Sequence, residues 1–344
     1  MSRFGGFSRR VAPLLVAALL VASCGGGTLT AAPSAAPSAA ASVARAKLTV
    51  SYSNVIATNL PLWVAKEAGI FDRHGLDADV VLIESIQGIA ALIAGNTHVA
   101  HIGGSEVLSA AAGGADLVIV GGTVPVWPYV LMVAPEIKTP ADLKGKTLAI
   151  AGVGGSYDIA VRVALPRIGL VPDKDVSIIA TGSVANATAA LLSGAVQGTM
   201  SQPPDTLVLE PKGFHPLINL AELKLPTANN TIATTRKFLD ANRDVAQRYV
   251  DSIVEAIAKE KNERAFAISV LGKYLKTTDE RALNATYDFY VGTVFPAAPF
   301  ARKEQFNDAI EQLGKKNPAV RTFDVAKILD ESFVQSAVDR GVGR

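Results

Sequence analysis

Asn59 to Ile83 reads NLPLWVAKEAGIFDRHGLDADVVLI, and this stretch decides the fold. Thr58 and Asn59 precede Pro61, the pattern of a helix that begins with a side-chain cap and carries proline in its first turn, where no backbone N–H is missed. Leu62, Ala65 and Ala68 recur at helical spacing and give that helix an apolar face. Gly69 stops it, Phe71 packs back, and Gly75 opens a turn into a strand over Ala78 to Ile83. The near-continuous apolar run of the strand suits a sheet covered on both faces. A helix feeding a buried parallel strand is the repeating unit of an α/β protein.

PLWVAKEAGIF followed by HGLDADVVLI resembles the opening of periplasmic solute-binding proteins of the nitrate, sulfonate and pyrimidine-precursor group, which serve ABC importers. The resemblance continues through GNTHVAHIGGSEVLSAAAGGADLVIVGG (Gly95 to Gly122), IKTPADLKGKTLAIAGVGGS (Ile137 to Ser156) and ILDESFVQSAVD (Ile328 to Asp339). It implies two α/β lobes of the type II binding-protein fold, joined by two crossing strands and followed by C-terminal helices, with a small solute held between the lobes. It also implies an ABC permease with its ATPase as partner, no cofactor, and a monomer in the bacterial cell envelope.

Outward from this stretch, the N-terminus reads as a targeting segment. Arg3, Arg9 and Arg10 precede Val11 to Ala22, an apolar run of 12 residues, short of the roughly 20 a membrane-spanning helix needs. Val21-Ala22-Ser23-Cys24 resembles a bacterial lipobox, in which the Cys24 thiol is acylated after cleavage. As Cys24 is the sole cysteine, it excludes an intrachain disulfide, so the expectation is a lipid anchor on the membrane. APSAAPSAAAS (Ala32 to Ser42) is too poor in large apolar residues to offset chain entropy and reads as a tether. A net charge of +2 over 344 residues gives no ground for nucleic-acid binding.

Strands are expected at Leu48 to Tyr52, Ala78 to Ile83, Val99 to Gly103, Leu117 to Gly121, Tyr129 to Val133, Thr147 to Ala151, Val176 to Ala180, Gln197 to Met200 and Asn230 to Thr234, with helices between them. After Thr235 helices dominate, and Asn242 to about Leu275 reads as one long amphipathic helix. The expected organisation is a signal peptide over 1–23, a lipidated tether over 24–46, a first lobe over 47–128 plus 201–344, and a second lobe over 129–200. Pro203-Pro204 marks the expected second crossing, because paired prolines cannot continue a ladder.

Ligands of open α/β sheets sit at the carboxyl ends of strands, where helices present unpaired N–H groups. Three junctions qualify: Asn54 to Leu60, with Thr58 and Asn59; Gly103-Gly104-Ser105; and Gly152 to Ser156, with Gly154 and Gly155. Three helix ends at roughly 0.3–2 kcal/mol each fall short of the roughly 8 kcal/mol of micromolar binding. Aromatic contact and lobe closure must add the remainder. Trp63, Trp127, Tyr129 and Tyr157 lie next to the expected cleft as candidates to stack on a flat ligand or pack its alkyl part, Trp127, between Pro125 and Pro128, first among them, and Gln202 is an expected amide contact. Tight turns account equally well for glycine and serine at any single junction.

Enzyme motifs are missing. His74, His98, His101 and His215 form no HExxH, GKT at Gly145 to Thr147 lacks the first glycine of a phosphate loop because Pro140 stands there, and neither GGSEV nor GGSYD completes a nucleophile elbow. The related eukaryotic pyrimidine-precursor synthase carries a cysteine cluster that this chain does not have. The sequence thus points to a non-catalytic receptor for a small organic anion, sulfonate- or carboxylate-like. A neutral heterocycle such as a pyrimidine precursor is the alternative ligand, and a ligand-sensing membrane subunit the alternative role. No arginine sits in the three junctions to clamp a carboxylate.

Overall fold

The computed structural model describes residues 45–344, so Cys24, the signal segment and the tether up to residue 44 lie outside the described residues. Ten strands alternate with helices: β1 (Ala46–Tyr52), β2 (Leu76–Leu82), β3 (Val99–Ile102), β4 (Leu117–Val126), β5 (Val130–Val133), β6 (Thr147–Ile150), β7 (Ser177–Ala180), β8 (Gly198–Ser201), β9 (His215–Asn219) and β10 (Pro226–Thr235). They form two five-stranded sheets, ordered β2-β1-β3-β10-β4 and β7-β6-β8-β5-β9. Each sheet mixes parallel pairs with one antiparallel strand: β10 runs against β3 and β4, and β5 against β8 and β9. This is the two-lobed α/β architecture of periplasmic binding proteins.

The opening helix spans Leu60–Glu67, with Pro61 in its first turn, and ends ahead of Gly69 at φ +63°, a left-handed conformation that glycine adopts without strain. Asn59 occupies the cap position but gives its side chain elsewhere, so the expected side-chain cap does not form. Leu62, Trp63 and Val64 are wholly buried, each worth about 1.5–3 kcal/mol of transfer free energy. Trp63 stacks on Tyr274 at 4.6 Å and meets Tyr52 edge-on at 6.0 Å. It therefore belongs to the first-lobe core.

The chain passes from the first sheet to the second between Val126 and Val130 and returns between Asn219 and Pro226. The expected return at Met200 to Pro204, and with it the 129–200 boundary, is corrected by β9, which pairs antiparallel with β5 and closes the second sheet. β9 is an edge strand with Pro216 inside it and a register shift against β5. Proline is tolerated at such an edge because one row of N–H groups needs no partner, and it hides the strand from pattern reading.

The long helix expected after Asn242 is two helices, Arg243–Asn262 and Arg264–Leu275, broken at Glu263 with φ −121° and ψ 68°. The first packs on Leu60–Glu67 and β2, and the final helix, Ser332–Asp339, packs on β4. Asn307–Gly314 instead packs on Ser156–Arg167, a helix of the second lobe. Among the described residues, no helix is long and apolar enough to cross a membrane.

Candidate ligand-binding cleft

The carboxyl ends of β1, β3, β6 and β7 open onto one cavity of about 840 Å³ between the two sheets. That volume lies within the range of small-molecule sites. Ser53 and Asn54 follow β1, Gly103 and Glu106 follow β3, Gly152 to Tyr157 follow β6, Ser183 and Thr188 follow β7, and Gln202 follows β8. Asn229 and Asn230 enter from β10, the strand that carries the chain through the first sheet.

Of the residues singled out in the sequence, Asn54, Gly154, Gly155, Ser156 and Gln202 line this cavity. Gly103, Gly152, Tyr129 and Tyr157 line it too, whereas Thr58, Asn59, Leu60, Gly104, Ser105 and Trp127 do not. Thr58 and Leu60 are buried at 3% and 0% exposure, with the Thr58 carbonyl accepting the Asn230 side-chain amide at 3.0 Å. Asn59 gives its side chain to Asn54, donating to the carbonyl at 2.9 Å and to Oδ1 at 3.1 Å, and so holds a residue that does line the cavity. Gly104 faces inward, where a Cβ would come within 2.5 Å of Ala228 Cβ and 2.9 Å of a Phe306 ring carbon. Ser105 donates its hydroxyl to Glu106 Oε2 at 2.7 Å.

Trp127 also departs from expectation. Its indole is buried, its Nε1 donates to Asp308 Oδ2 at 2.8 Å, and it packs behind Tyr129 with centroids 6.0 Å apart. Tyr129 and Tyr157, two of the four aromatic candidates, line the cavity. The Tyr129 hydroxyl accepts from Asn229 at 2.7 Å, the Tyr157 hydroxyl accepts from Gln202 Nε2 at 3.2 Å, and the rings sit 4.7 Å apart. Gln202 Oε1 is buried and has no partner among the described residues. Such an acceptor costs about 1–3 kcal/mol until something donates to it.

The charges in the cleft have one sign. Among the described residues, Glu84, Glu106 and Asp205 line it, and no lysine, arginine or histidine does. Burial raises the Glu106 carboxyl above the ordinary carboxylate value, opposed by the hydrogen bond it accepts from the Ser105 hydroxyl and by the nearby backbone amides of Glu106 and Ser156. Asp205 is likewise raised by burial, opposed by the Thr188 hydroxyl. The helix end at Ser156 is thereby occupied by the protein itself, because Gly154 N–H also donates internally, to Asp158 Oδ2 at 2.8 Å.

All four histidines make structural contacts away from the cleft. His101 meets the Tyr249 hydroxyl at 2.8 Å, and desolvation pushes its pKa down to about 3. His98 Nδ1 accepts from Thr49 N–H at 2.9 Å, His74 meets Glu255 at 2.8 Å, and His215 approaches the Gly213 carbonyl.

In sequence, the family described as NMT1/THI5 like matches residues 57–263, more than half of the chain. The chain belongs to the NMT1/THI5-like family. Among curated relatives, the binding protein YtlA of Bacillus subtilis is 27% identical over 202 residues, which make up 57% of this chain and 60% of that protein. The chain thus spans about three fifths of that relative's length. Among solved structures, the periplasmic aliphatic sulphonate binding protein SsuA of Escherichia coli superposes with a TM-score of 0.67 at 23% identity, covering 82% of this chain and 91% of that one. The periplasmic nitrate-binding protein NrtA of Synechocystis PCC 6803 gives 0.67 at 18% identity, over 86% and 88%. At these identities the two structures establish the shared fold.

What pattern reading missed has a common cause. Glu106 lies one residue past the GGS turn and was read as ordinary helix, and Asn229-Asn230 sits inside a strand whose neighbours are buried. Two adjacent amides in an otherwise buried strand were the available signal, since buried polar groups need partners. Ser183 was available too, as a fourth strand-to-helix junction; it caps Val184–Leu192 by accepting from Asn186 N–H at 3.2 Å.

Proposed function

We propose that this NMT1/THI5-like protein is an extracytoplasmic receptor, lipid-anchored through Cys24, that closes its two lobes on a small neutral heterocycle and hands it to an ABC permease with its ATPase. The observation that carries the choice of ligand is the lining of the cleft: three carboxylates, two tyrosines, unpaired Gln202 Oε1 and no basic side chain. A flat, uncharged ring bearing N–H donors suits it. Tyr129 and Tyr157 supply apolar faces, and Gln202 supplies an acceptor. Each carboxylate that stays ionised at roughly 8 Å from an anionic ligand would oppose it by about 2 kcal/mol at an effective dielectric constant near 20. This speaks against the organic anion expected from the sequence.

A small sulfonate is the second reading, favoured by the ligand named for the E. coli protein of the same fold and by the glycine-rich turn at Gly152 to Ser156. A thermal-shift screen of 4-aminopyrimidine, related neutral heterocycles, alkanesulfonates and nitrate separates the two. A ligand at a hundred times its Kd stabilises the native state by about 2.7 kcal/mol, a rise of roughly 5 °C or more for a chain of this size. A rise with heterocycles alone supports the proposal, and a rise with sulfonates alone replaces it. Mass spectrometry of the recovered ligand should show it chemically unchanged, as a receptor and not an enzyme requires.

A further inference from the structure

We propose that Glu106 sets the selectivity of the cleft against anions: its carboxyl group, reaching from the first lobe, fills the N-terminus of the second-lobe helix Ser156–Arg167 with its own oxygens and closes that position to anionic solutes. The proposal deepens the neutral-ligand reading and rests on the cleft being the ligand site.

A helix of 12 residues presents unpaired N–H groups and a partial positive charge at its start, which is where an incoming anion would settle. In this protein the chain's own carboxylates are already there, and they differ in kind. Asp158 belongs to the helix itself; it accepts the Gly154 N–H and the Arg162 Nε at 2.7 Å, so it is neutralised inside its own lobe. Glu106 arrives from the first lobe, lines the cleft, and has the Ser105 hydroxyl on Oε2. Its Oε1 lies so close to the second-lobe turn that a Cβ on Gly155, the residue that opens the helix, would come within 3.2 Å of it. Among the described residues, no lysine, arginine or histidine lines the cleft.

A second, independent group repeats the same demand. Gln202 lines the cavity, and its buried Oε1, on a side chain that is 2% exposed, has no donor among the described residues. An anion's oxygen brings only lone pairs to that acceptor, whereas an N–H satisfies it. Glu106 and Gln202 together make the interior of the cleft a place for donors.

The test is calorimetric titration of the mature protein and of Glu106→Gln and Glu106→Ala with sodium methanesulfonate, with thermal melting to establish that each variant is folded. Glu106→Ala removes both charge and bulk, and Glu106→Gln removes the charge at nearly constant size. The expected result is no saturable heat from the wild-type protein at millimolar methanesulfonate and at least about a tenfold gain in affinity for Glu106→Ala. Glu106→Gln should gain in the same direction. Wild-type protein that binds methanesulfonate as tightly as Glu106→Ala overturns the proposal, and so do two folded variants that bind it no better than wild type. Titration of the wild-type protein with 4-aminopyrimidine is a separate arm: its failure removes the neutral-heterocycle reading without depending on either variant.

Discussion

The turn GGS occurs twice at a strand-to-helix junction, at Gly103-Gly104-Ser105 in the first lobe and Gly154-Gly155-Ser156 in the second, with opposite consequences. In the first lobe its middle glycine is a packing requirement, wedged against Ala228 and Phe306, and its serine turns inward onto Glu106. In the second lobe the turn borders the cleft, and Glu106 Oε1 stands 3.2 Å from where a Cβ on Gly155 would be. Identical residues therefore serve as a steric joint on one side and as a half-buried wall of the cleft on the other. What separates them is the strand beyond: β10 runs directly behind the first turn, while open space lies beside Gly152.

Substitutions can test that contrast. The largest expected effect is Gly104→Val, which drives side-chain atoms into Ala228 and Phe306 and should destabilise the protein by about 3 kcal/mol or more. Calorimetric melting should then show a fall of roughly 6 °C or more.

Next in size is a second pairing of buried carboxyl groups, Glu106 with the Ser105 hydroxyl donating to it against Glu260 with no donor among the described residues. Glu260 is completely buried on Arg243–Asn262, both its oxygens lack partners among the described residues, and burial holds its carboxyl well above the ordinary value despite the nearby Lys261 charge. A carboxyl raised on folding binds its proton more tightly in the native state. Its contribution is therefore fully present below the ordinary carboxylate pKa and is lost as pH rises through the raised one. Glu260→Gln should remove that loss, with urea unfolding at pH 8 showing about 1–3 kcal/mol more stability than wild type. At pH 4 the two proteins should be nearly equal.

Gln202→Leu comes third. It deletes the unpaired acceptor of the cleft and should weaken 4-aminopyrimidine binding by about 10- to 100-fold in calorimetry, while the melting temperature stays within roughly 3 °C. The smallest effect belongs to Gly152→Ala, where the new methyl meets nothing within 4 Å. About 0.5 kcal/mol or less of stability should change, and affinity should stay within about twofold.

The architecture was legible because it rests on short-range signals. Alternating apolar runs, Gly69 and Gly75 and the strand-to-helix turns placed nine of the ten strands, and β9 escaped because Pro216 interrupts an edge strand that needs few of its own hydrogen bonds. The site was half legible. Turns announce where backbone approaches a ligand, so Asn54, Gly154, Gly155, Ser156 and Gln202 were found. Which way a side chain faces depends on elements far away in sequence. Trp127 is drawn out of the cleft by Asp308, 181 residues later, and Asn59 by Asn54 and Asn230. Asp308 and Asn230 are invisible from local pattern, although Asn54 lies only five residues before Asn59.

The position of β9 has a practical consequence for anyone cutting this molecule into pieces. A fragment ended at residue 200 would leave Val130–Val133 without its outer neighbour, and a bare apolar strand edge recruits other chains into aggregates. Excision, circular permutation or insertion of a fluorescent reporter should respect Asn219 as the end of the second lobe, with the segment between Asn219 and Pro226 as the splice point.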